Sequence, residues 1–330
     1  MEFWLPLIFG LLMALSMLIY VVLDGYDLGV GMLLAGATDA QKDVMVASIG
    51  PFWDANETWL VLGVGILLVA FPMAHGVILT SLYLPVALML CGLIVRGVAF
   101  DFRVKVHTDH KPTWNRLFWG GSTLASLAQG FMLGAYITGF RAGLAEQAFS
   151  AFIALGVASG YVLLGGTWLI MKTEGDLQAR AVRWSRIALG FTAIGVIAVS
   201  LATPLVSERI FDRWFALPQL LWLLPIPALT VLCFVACERF LGRLRRGDAA
   251  GEWQPFACAV GIFLLSFLGL AYSLFPYLVV DELDLWQAAS ATESLLIIAV
   301  GTAFTLPAIL GYTAFAYRVF WGKATQLSYE

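Results

Sequence analysis

A small set of charged side chains lies at the ends of long apolar segments of this 330-residue chain. If those segments span a membrane, ionisable residues there are costly and are candidates for a functional site. Four of the carboxyl groups and both arginines could meet at one membrane level and pass protons, because a carboxyl group buried beside another holds a proton readily. The residues concerned are Asp24, Asp27, Asp54, Glu57, Arg96, Asp101 and Arg103.

These carboxyl groups also have plainer explanations. Asp54 and Glu57 begin an apolar segment, where negative charge complements the positive end of a helix dipole. Asp24 and Asp27 follow the first segment, and the negative end of a helix disfavours them. The flanking residues Gly25 and Gly29 suggest that the helix ends here and that its backbone packs closely against another element. Either arginines neutralise these two aspartates, or one of the aspartates carries a proton, or both explanations are true.

The composition excludes a soluble globular fold. Hydrophobic residues make up 61% of the chain and charged residues only 12%, whereas a soluble domain carries roughly 25% charged residues. The net charge of −3 gives no support for nucleic-acid binding. We therefore expect an integral membrane protein without a nucleic-acid partner.

Nine apolar segments are long enough to cross a membrane, which needs roughly 20 residues each. The stretch 59–95 is about twice that length, and a tight turn predicted at 71–76 divides it into two spans. The sequence thus predicts an all-α integral membrane protein with nine transmembrane helices, in which residues 1–330 form a single transmembrane bundle domain. The segments are 5–23, two within 59–95, 117–137, 152–171, 187–203, 220–237, 256–275 and 295–317.

The basic residues predict the orientation of this bundle. With nine spans, Arg141, Arg209 and Arg213 fall on one face of the membrane, and the other 16 of the 19 lysines and arginines fall on the opposite face. Cytoplasmic loops carry the excess of positive charge. The N-terminus is therefore expected outside and the C-terminus in the cytoplasm.

The histidines give little support for a haem in this chain. His75 lies in the predicted turn, and His107 and His110 lie in one loop, so no two face each other within the bundle. A bis-histidine haem is therefore not expected, whereas a His–Met or single-ligand site stays open. The four cysteines have neither zinc-ligand nor redox spacing and are expected to be buried apolar residues.

Several strings of the sequence resemble subunit II of the cytochrome bd quinol oxidases, in the order of that family and from residue 1 to about 320. Gln287 stands where other members have Asp, and the chain is short; both features are similar to the cyanide-insensitive branch. The strings are DGYDLGVGM (24–32), IGPFWDANETWL (49–60), FPM (71–73), RGVAFDFR (96–103) and LWQAASAT (285–292).

This resemblance implies a membrane complex that oxidises quinol, reduces dioxygen to water and takes the protons from the cytoplasm. Subunit I would hold two b haems, one d haem and the quinol site. Subunit II would be a haem-free bundle related to subunit I by pseudo-symmetry, in the bacterial cytoplasmic (inner) membrane. A small third subunit, a structural quinone and membrane lipids would complete the complex.

The resemblance also implies a proton path near the subunit boundary. Asp54 and Asp27 match the two aspartates of the family's motifs, Asp24 and Glu57 lie beside them, and Trp53 and Asn56 flank the path. Arg96, Asp101 and Arg103 would support it.

Two other functions stay open on the residues alone. In a proton-coupled secondary transporter the carboxyl cluster would couple substrate to protons, although transporters usually contain paired broken helices at the membrane midplane. In a purely structural subunit the carboxyl groups would only neutralise the arginines.

Overall fold

The computed structural model describes residues 2–105, 110–248 and 251–324. These residues form fourteen α-helices and one antiparallel hairpin of two short strands, β1 (Tyr277–Val279) and β2 (Leu283–Asp284). The helices are α1 (Trp4–Leu33), α2 (Asp39–Ile49), α3 (Trp53–Ala70), α4 (Pro72–Ser81), α5 (Tyr83–Lys105), α6 (Lys111–Ile137), α7 (Leu144–Lys172), α8 (Gly175–Val206), α9 (Glu208–Phe215), α10 (Gln219–Leu223), α11 (Pro225–Arg245), α12 (Gln254–Leu274), α13 (Leu285–Ala288) and α14 (Thr292–Val319).

Eight helical segments in the described part of the chain are long and apolar enough to cross a membrane. They correspond to α1, α3, α5, α7, α8, α10 with α11, α12 and α14. The remaining predicted span, 117–137, lies in α6, which is long but is not among the eight. Its polar side chains, including Ser122 and Ser126, are buried against neighbouring helices. The membrane class and the helical fold are thereby confirmed.

Two predictions about helix ends are wrong. The first helix does not end near Asp24 and Asp27 but continues to Leu33, so both aspartates lie in the interior of α1. The predicted tight turn at 71–76 is instead the ten-residue helix α4. Pro72 is its first residue, where the fixed φ of proline favours helix and its missing N–H is not needed.

Glycines allow unusually close contacts between the central helices. A Cβ atom on Gly29 of α1 would lie 1.8 Å from the carbonyl oxygen of Tyr161 on α7. A Cβ atom on Gly134 of α6 would lie 2.5 Å from the Cα of Ser150 on α7. Small residues at such positions let helix backbones approach each other in a membrane. Helices α1, α6 and α7 therefore form the tightly packed centre that fixes the position of the charged residues.

The last long helix, α14, packs far less closely. Its buried residues are Leu295 near one end and Ala316 near the other. At the second end the Tyr317 ring stacks on Phe52, with ring centroids 4.6 Å apart, and Lys172 Nζ donates to the carbonyl of Phe320 at 2.8 Å. The middle of α14 is left open on the surface of this chain.

Candidate functional site

Arg96 lies at the centre of the candidate site. This side chain of α5 is only 1% exposed, and it binds carboxyl groups of two other helices. Nη1 lies 2.7 Å from Asp24 Oδ1 on α1, and Nη2 lies 2.5 Å from Glu57 Oε1 on α3. A guanidinium fork suits this arrangement because its nitrogens can bind two acceptors at fixed angles. We call Asp24, Asp27, Glu57 and Arg96 the acidic cluster.

Asp27 is the carboxyl group of this cluster that has no ion pair among the described residues. Its side chain is fully buried. Oδ2 accepts a hydrogen bond from Asn56 Nδ2 at 2.7 Å, and Oδ1 has no hydrogen-bond partner in the part of the chain that is described. The cluster therefore holds three carboxyl groups around one arginine. Because an excess of buried negative charge is costly, the cluster is expected to hold at least one proton.

Asn56 connects Asp27 to a ring of hydrogen bonds. Its Nδ2 also donates to the Tyr26 hydroxyl at 2.8 Å, and its Oδ1 accepts from the Tyr317 hydroxyl at 3.2 Å. The two tyrosine hydroxyls lie 2.6 Å apart. Residues of α1, α3 and α14 are joined in this way, and we call Asn56, Tyr26 and Tyr317 the amide ring.

A second polar chain begins one helical turn before Asp24. The Tyr161 hydroxyl donates to Gln129 Oε1 at 2.6 Å, and Gln129 Nε2 donates to the Tyr20 hydroxyl at 2.7 Å. These residues come from α7, α6 and α1. These hydrogen bonds pair polar groups in the tightly packed centre of the bundle, where unpaired polar groups would be costly.

Three of the sequence-predicted residues lie outside the acidic cluster, so the expectation that both arginines share one site is wrong. Arg103 follows Arg96 by two helical turns, which is about 10 Å along the axis. It binds Asn115 Oδ1 at 2.6 Å and Asp43 Oδ1 at 2.7 Å instead. Asp54 and Asp101 are exposed and have no ion pair among the described residues.

Trp53 lies at the edge of the site. The Arg96 Cζ atom is 5.8 Å from the centre of its ring, within the range of a cation–π contact. Of the predicted residues, the structure therefore brings Trp53 and Asn56 together with the acidic cluster.

Other members of the site are not predicted from the sequence. The one signal that could indicate them is a lone amide or hydroxyl side chain inside an apolar segment. The missed residues are Tyr20, Tyr26, Gln129, Tyr161 and Tyr317.

The described residues do not fit a haem or a metal ion. His75 lies on α4 and is partly exposed, His110 is exposed before α6, and His107 lies outside the described residues. Within the described ranges, no three histidine, cysteine or acidic side chains come together in a way that could hold a metal ion.

A bundle of apolar helices around a buried, charge-unbalanced cluster defines a multi-pass membrane protein. A family model, cytochrome bd terminal oxidase subunit II, matches residues 5–320. Because the match covers almost the whole chain, this chain belongs to that family. The resemblance inferred from the sequence strings is thereby confirmed.

Related proteins agree with this assignment. The chain is 29% identical over 335 residues to cytochrome bd ubiquinol oxidase subunit 2 of Bacillus subtilis, covering 94% of each chain. It is 27% identical over 382 residues to cytochrome bd-I ubiquinol oxidase subunit 2 of Escherichia coli K12, covering 99% of this chain and 97% of the relative.

The fold is also similar to that of a solved bd oxidase from Geobacillus thermodenitrificans. The TM-score is 0.76 at 18% sequence identity, with 96% of this chain and 98% of the other covered. This likeness concerns the helical fold.

Proposed function

We propose that this chain is the haem-free subunit II of a membrane quinol:oxygen oxidoreductase of the cytochrome bd type. The complex oxidises quinol and reduces dioxygen to water with protons taken from the cytoplasm. The family match over residues 5–320 and the relatives named as ubiquinol oxidase subunits support this function. The transporter alternative has no such support, since these relatives are named as oxidase subunits.

Within this function, the acidic cluster is proposed to carry protons. The observation that carries this proposal is the charge balance: Asp24, Asp27 and Glu57 surround one arginine, and Asp27 has no ion pair among the described residues. Asp24 and Glu57 each contact the Arg96 guanidinium group, whereas Asp27 is held by an amide. Asp27 is then the carboxyl group best placed to gain and lose a proton.

The side chains around the cluster suggest a direction for the path. Asp54 is exposed on the first turn of α3, and Glu57 lies one turn further with 27% of its side chain exposed. Asp27 and Asp24 lie deeper and are fully buried. We propose that Asp54 and Glu57 connect the buried aspartates with the surface, with Asn56 holding Asp27 and Trp53 shielding Arg96. Asp101 and Arg103 would act only as neighbouring surface and interface groups.

The partner is proposed to be subunit I, which would carry the two b haems, the d haem and the quinol site. Only 6% of the most apolar part of α14 is buried in this chain, so a large helical face is available for a partner. The described histidines offer no buried haem site, which favours haem binding by the partner. A small third subunit, a structural quinone and lipids would cover other exposed apolar faces.

The orientation and symmetry of the bundle are part of the same proposal. Sixteen of the 19 lysines and arginines fall on one face if α6 crosses the membrane as a ninth span, which favours an outside N-terminus and a cytoplasmic C-terminus. The chain would form a single transmembrane bundle domain in the bacterial inner membrane, pseudo-symmetric with subunit I. The acidic cluster would then lie towards the cytoplasm, where the protons are taken up.

The function is tested by replacing Asp27 with Asn in the complete oxidase complex. Asn keeps the size of the side chain but cannot exchange a proton, so we expect oxygen-linked proton uptake to fall by about ten-fold or more. Haem content should remain that of the unmodified complex. Asp176→Asn, which changes an exposed carboxyl group at the start of α8, is the matched control.

The outcome separates a proton path from a structural role. If Asp27→Asn takes up protons at the rate of the Asp176→Asn control, the carboxyl cluster only neutralises Arg96. If haem content falls together with activity, proton uptake is compared per haem, so that loss of assembly is not read as loss of conduction.

A further inference from the structure

Asp27 differs from the other carboxyl groups of the acidic cluster in the kind of neighbour that holds it. Asp24 and Glu57 both contact Arg96, and a guanidinium group only donates hydrogen bonds. Such a neighbour stabilises the charged carboxylate, but it offers no acceptor for the O–H of a protonated carboxyl group. Asp27 is held by the amide of Asn56, which offers a donor on one side and an acceptor on the other.

The amide ring closes completely when Asp27 is charged. Asn56 Nδ2 donates to Asp27 Oδ2 and to the Tyr26 hydroxyl, Tyr26 donates to Tyr317, and Tyr317 donates to Asn56 Oδ1. Each hydroxyl then gives one hydrogen bond and accepts one. No donor of the ring is left without an acceptor.

The same ring also closes when Asp27 is protonated on Oδ2. If the amide of Asn56 turns over, its Oδ1 accepts from Asp27 and from Tyr26, while Nδ2 donates to Tyr317. The two hydroxyls reverse their direction, which their 2.6 Å contact allows because either oxygen can be the donor. Hydroxyl hydrogens rotate freely to suit their partners. The hydrogen bonds within the ring are therefore kept in both protonation states, and the turned amide loses only the 3.4 Å bond from Asn56 Nδ2 to the Leu23 carbonyl oxygen.

We propose that Tyr317 and Tyr26 are positioning residues for proton exchange at Asp27, acting through the amide of Asn56. This inference rests on the proposed function and goes beyond it, because it places the last helix in the proton path. Uptake forms an O–H bond at Asp27 Oδ2 and breaks one O–H bond of a hydronium ion on the cytoplasmic side. Release breaks the bond at Oδ2 and passes the proton to a water molecule, and the amide and both hydroxyls return to their first orientation.

The charged and titratable groups that act on Asp27 and on the amide ring come from four helices. Asp24 and Tyr26 belong to α1, Glu57 to α3, Arg96 to α5 and Tyr317 to α14. Asp24, Glu57 and Arg96 are held to one another by ion pairs. The amide ring is the part of this environment that can change its hydrogen-bond direction.

The test compares Tyr317→Phe and Tyr26→Phe with the unmodified oxidase complex. Each variant removes one hydroxyl of the ring without touching the carboxyl group. We expect Tyr26→Phe to shift the pH profile of quinol oxidation by about half a pH unit or more, because charged Asp27 keeps an acceptor for every remaining donor of the ring, whereas protonated Asp27 leaves the Tyr317 hydroxyl without an acceptor. Tyr317→Phe removes two hydrogen bonds from each state and should shift the profile less. Tyr83→Phe is the control, since Tyr83 is a strongly exposed tyrosine at the start of α5 and lies outside the acidic cluster, the amide ring and α14.

A structural role for Tyr317 would give a different result. Loss of an anchor for α14 would lower thermal stability and leave the pH profile unchanged. If Tyr317→Phe and Tyr26→Phe both show the pH profile of Tyr83→Phe, the inference is overturned. If Asp27→Asn keeps normal proton uptake, the proposed proton path itself fails, so the two failures are distinguishable.

A second measurement covers the case in which the ring variants do not assemble. Infrared difference spectra of the unmodified complex, recorded between acid and alkaline pH, should contain a carboxyl band that is missing in Asp27→Asn. The ring predicts that an amide band of Asn56 and a band of isotope-labelled tyrosine change together with it. A carboxyl band that changes alone would contradict the inference.

Discussion

Arg96 binds Asp24 at 2.7 Å, although both side chains are buried and they belong to different helices. The same guanidinium group also binds Glu57 at 2.5 Å. One residue of α5 thus holds α1 and α3 together through charge. A buried ion pair of this kind is costly to break, because removal of one partner leaves the other charged and unpaired.

Arg96→Gln should therefore destabilise the complex strongly. Two carboxyl groups would lose their cation, and the expected loss of unfolding free energy is about 3–5 kcal/mol. Thermal denaturation of the purified complex measures this loss. Arg116→Gln, at an exposed position of α6, should change the midpoint little. Equal midpoints for the two variants would contradict a central role for Arg96.

Asp54→Asn should separate function from stability. The Asp54 side chain is exposed and has no ion pair among the described residues, so its removal should leave the thermal midpoint unchanged. If Asp54 passes protons towards Glu57, proton uptake per haem should fall by about ten-fold. Proton uptake is followed with a pH indicator during oxygen pulses. Normal uptake would remove Asp54 from the path and leave Glu57 as its outer carboxyl group.

Gly29→Ala should disturb the packing of α1 against α7. The added methyl group would lie 1.8 Å from the Tyr161 carbonyl oxygen, so the helices must separate. Overpacking of this kind costs about 1–3 kcal/mol. Gly120→Ala is the control, because its methyl group would meet nothing within 4 Å. Thermal midpoints and haem content of the two complexes are compared; a stable Gly29→Ala complex would show that the contact can yield.

Asp281 lies in the hairpin outside the membrane-spanning helices. We expect it to make a small, acid-sensitive contribution to the stability of the protein. Burial alone would raise the pKa of Asp281, but hydrogen bonds from Ser207 and Arg209 outweigh it and lower the pKa below its usual value. The charged form is therefore stabilised in the folded protein. This contribution is fully present above the unfolded pKa of about 4 and is lost as the pH falls through the lower folded value.

Asp281→Asn tests that sign. The variant should be less stable than the unmodified protein at neutral pH, by no more than about 1 kcal/mol because the pair is largely exposed. The difference should shrink as the pH falls below about 4. Thermal midpoints measured across this range check it, and a difference that grows on acidification would mean that the carboxylate is not stabilised in the folded state.

Much of the fold follows from the sequence because it depends on local features. Apolar length places the long helices, and the strings around Asp27, Asn56 and Arg96 indicate one site. The separation of Arg96 and Arg103 also follows from helix geometry, since two turns of α5 place them too far apart for one cluster.

The partners of each charged group depend on how the helices rotate against one another, which no local pattern contains. Tyr317 contacts Asn56 across a separation of 261 positions, and nothing in its own surroundings marks it as part of the site. The full length of α1 is not evident from the sequence for a similar reason. Gly25 and Gly29 suggested a helix end, whereas their role is to let α1 pass close to Tyr161 while the helix continues.

The sparse packing of α14 has a consequence for how the protein is made. After synthesis, α14 has little of its own chain to hold it, apart from anchors near its two ends. A newly synthesised copy that finds no companion would present this segment to lipid alone, where membrane proteases remove unassembled chains. The supply of one polypeptide would then set the lifetime of the other, and equal amounts of both would accumulate without matched synthesis.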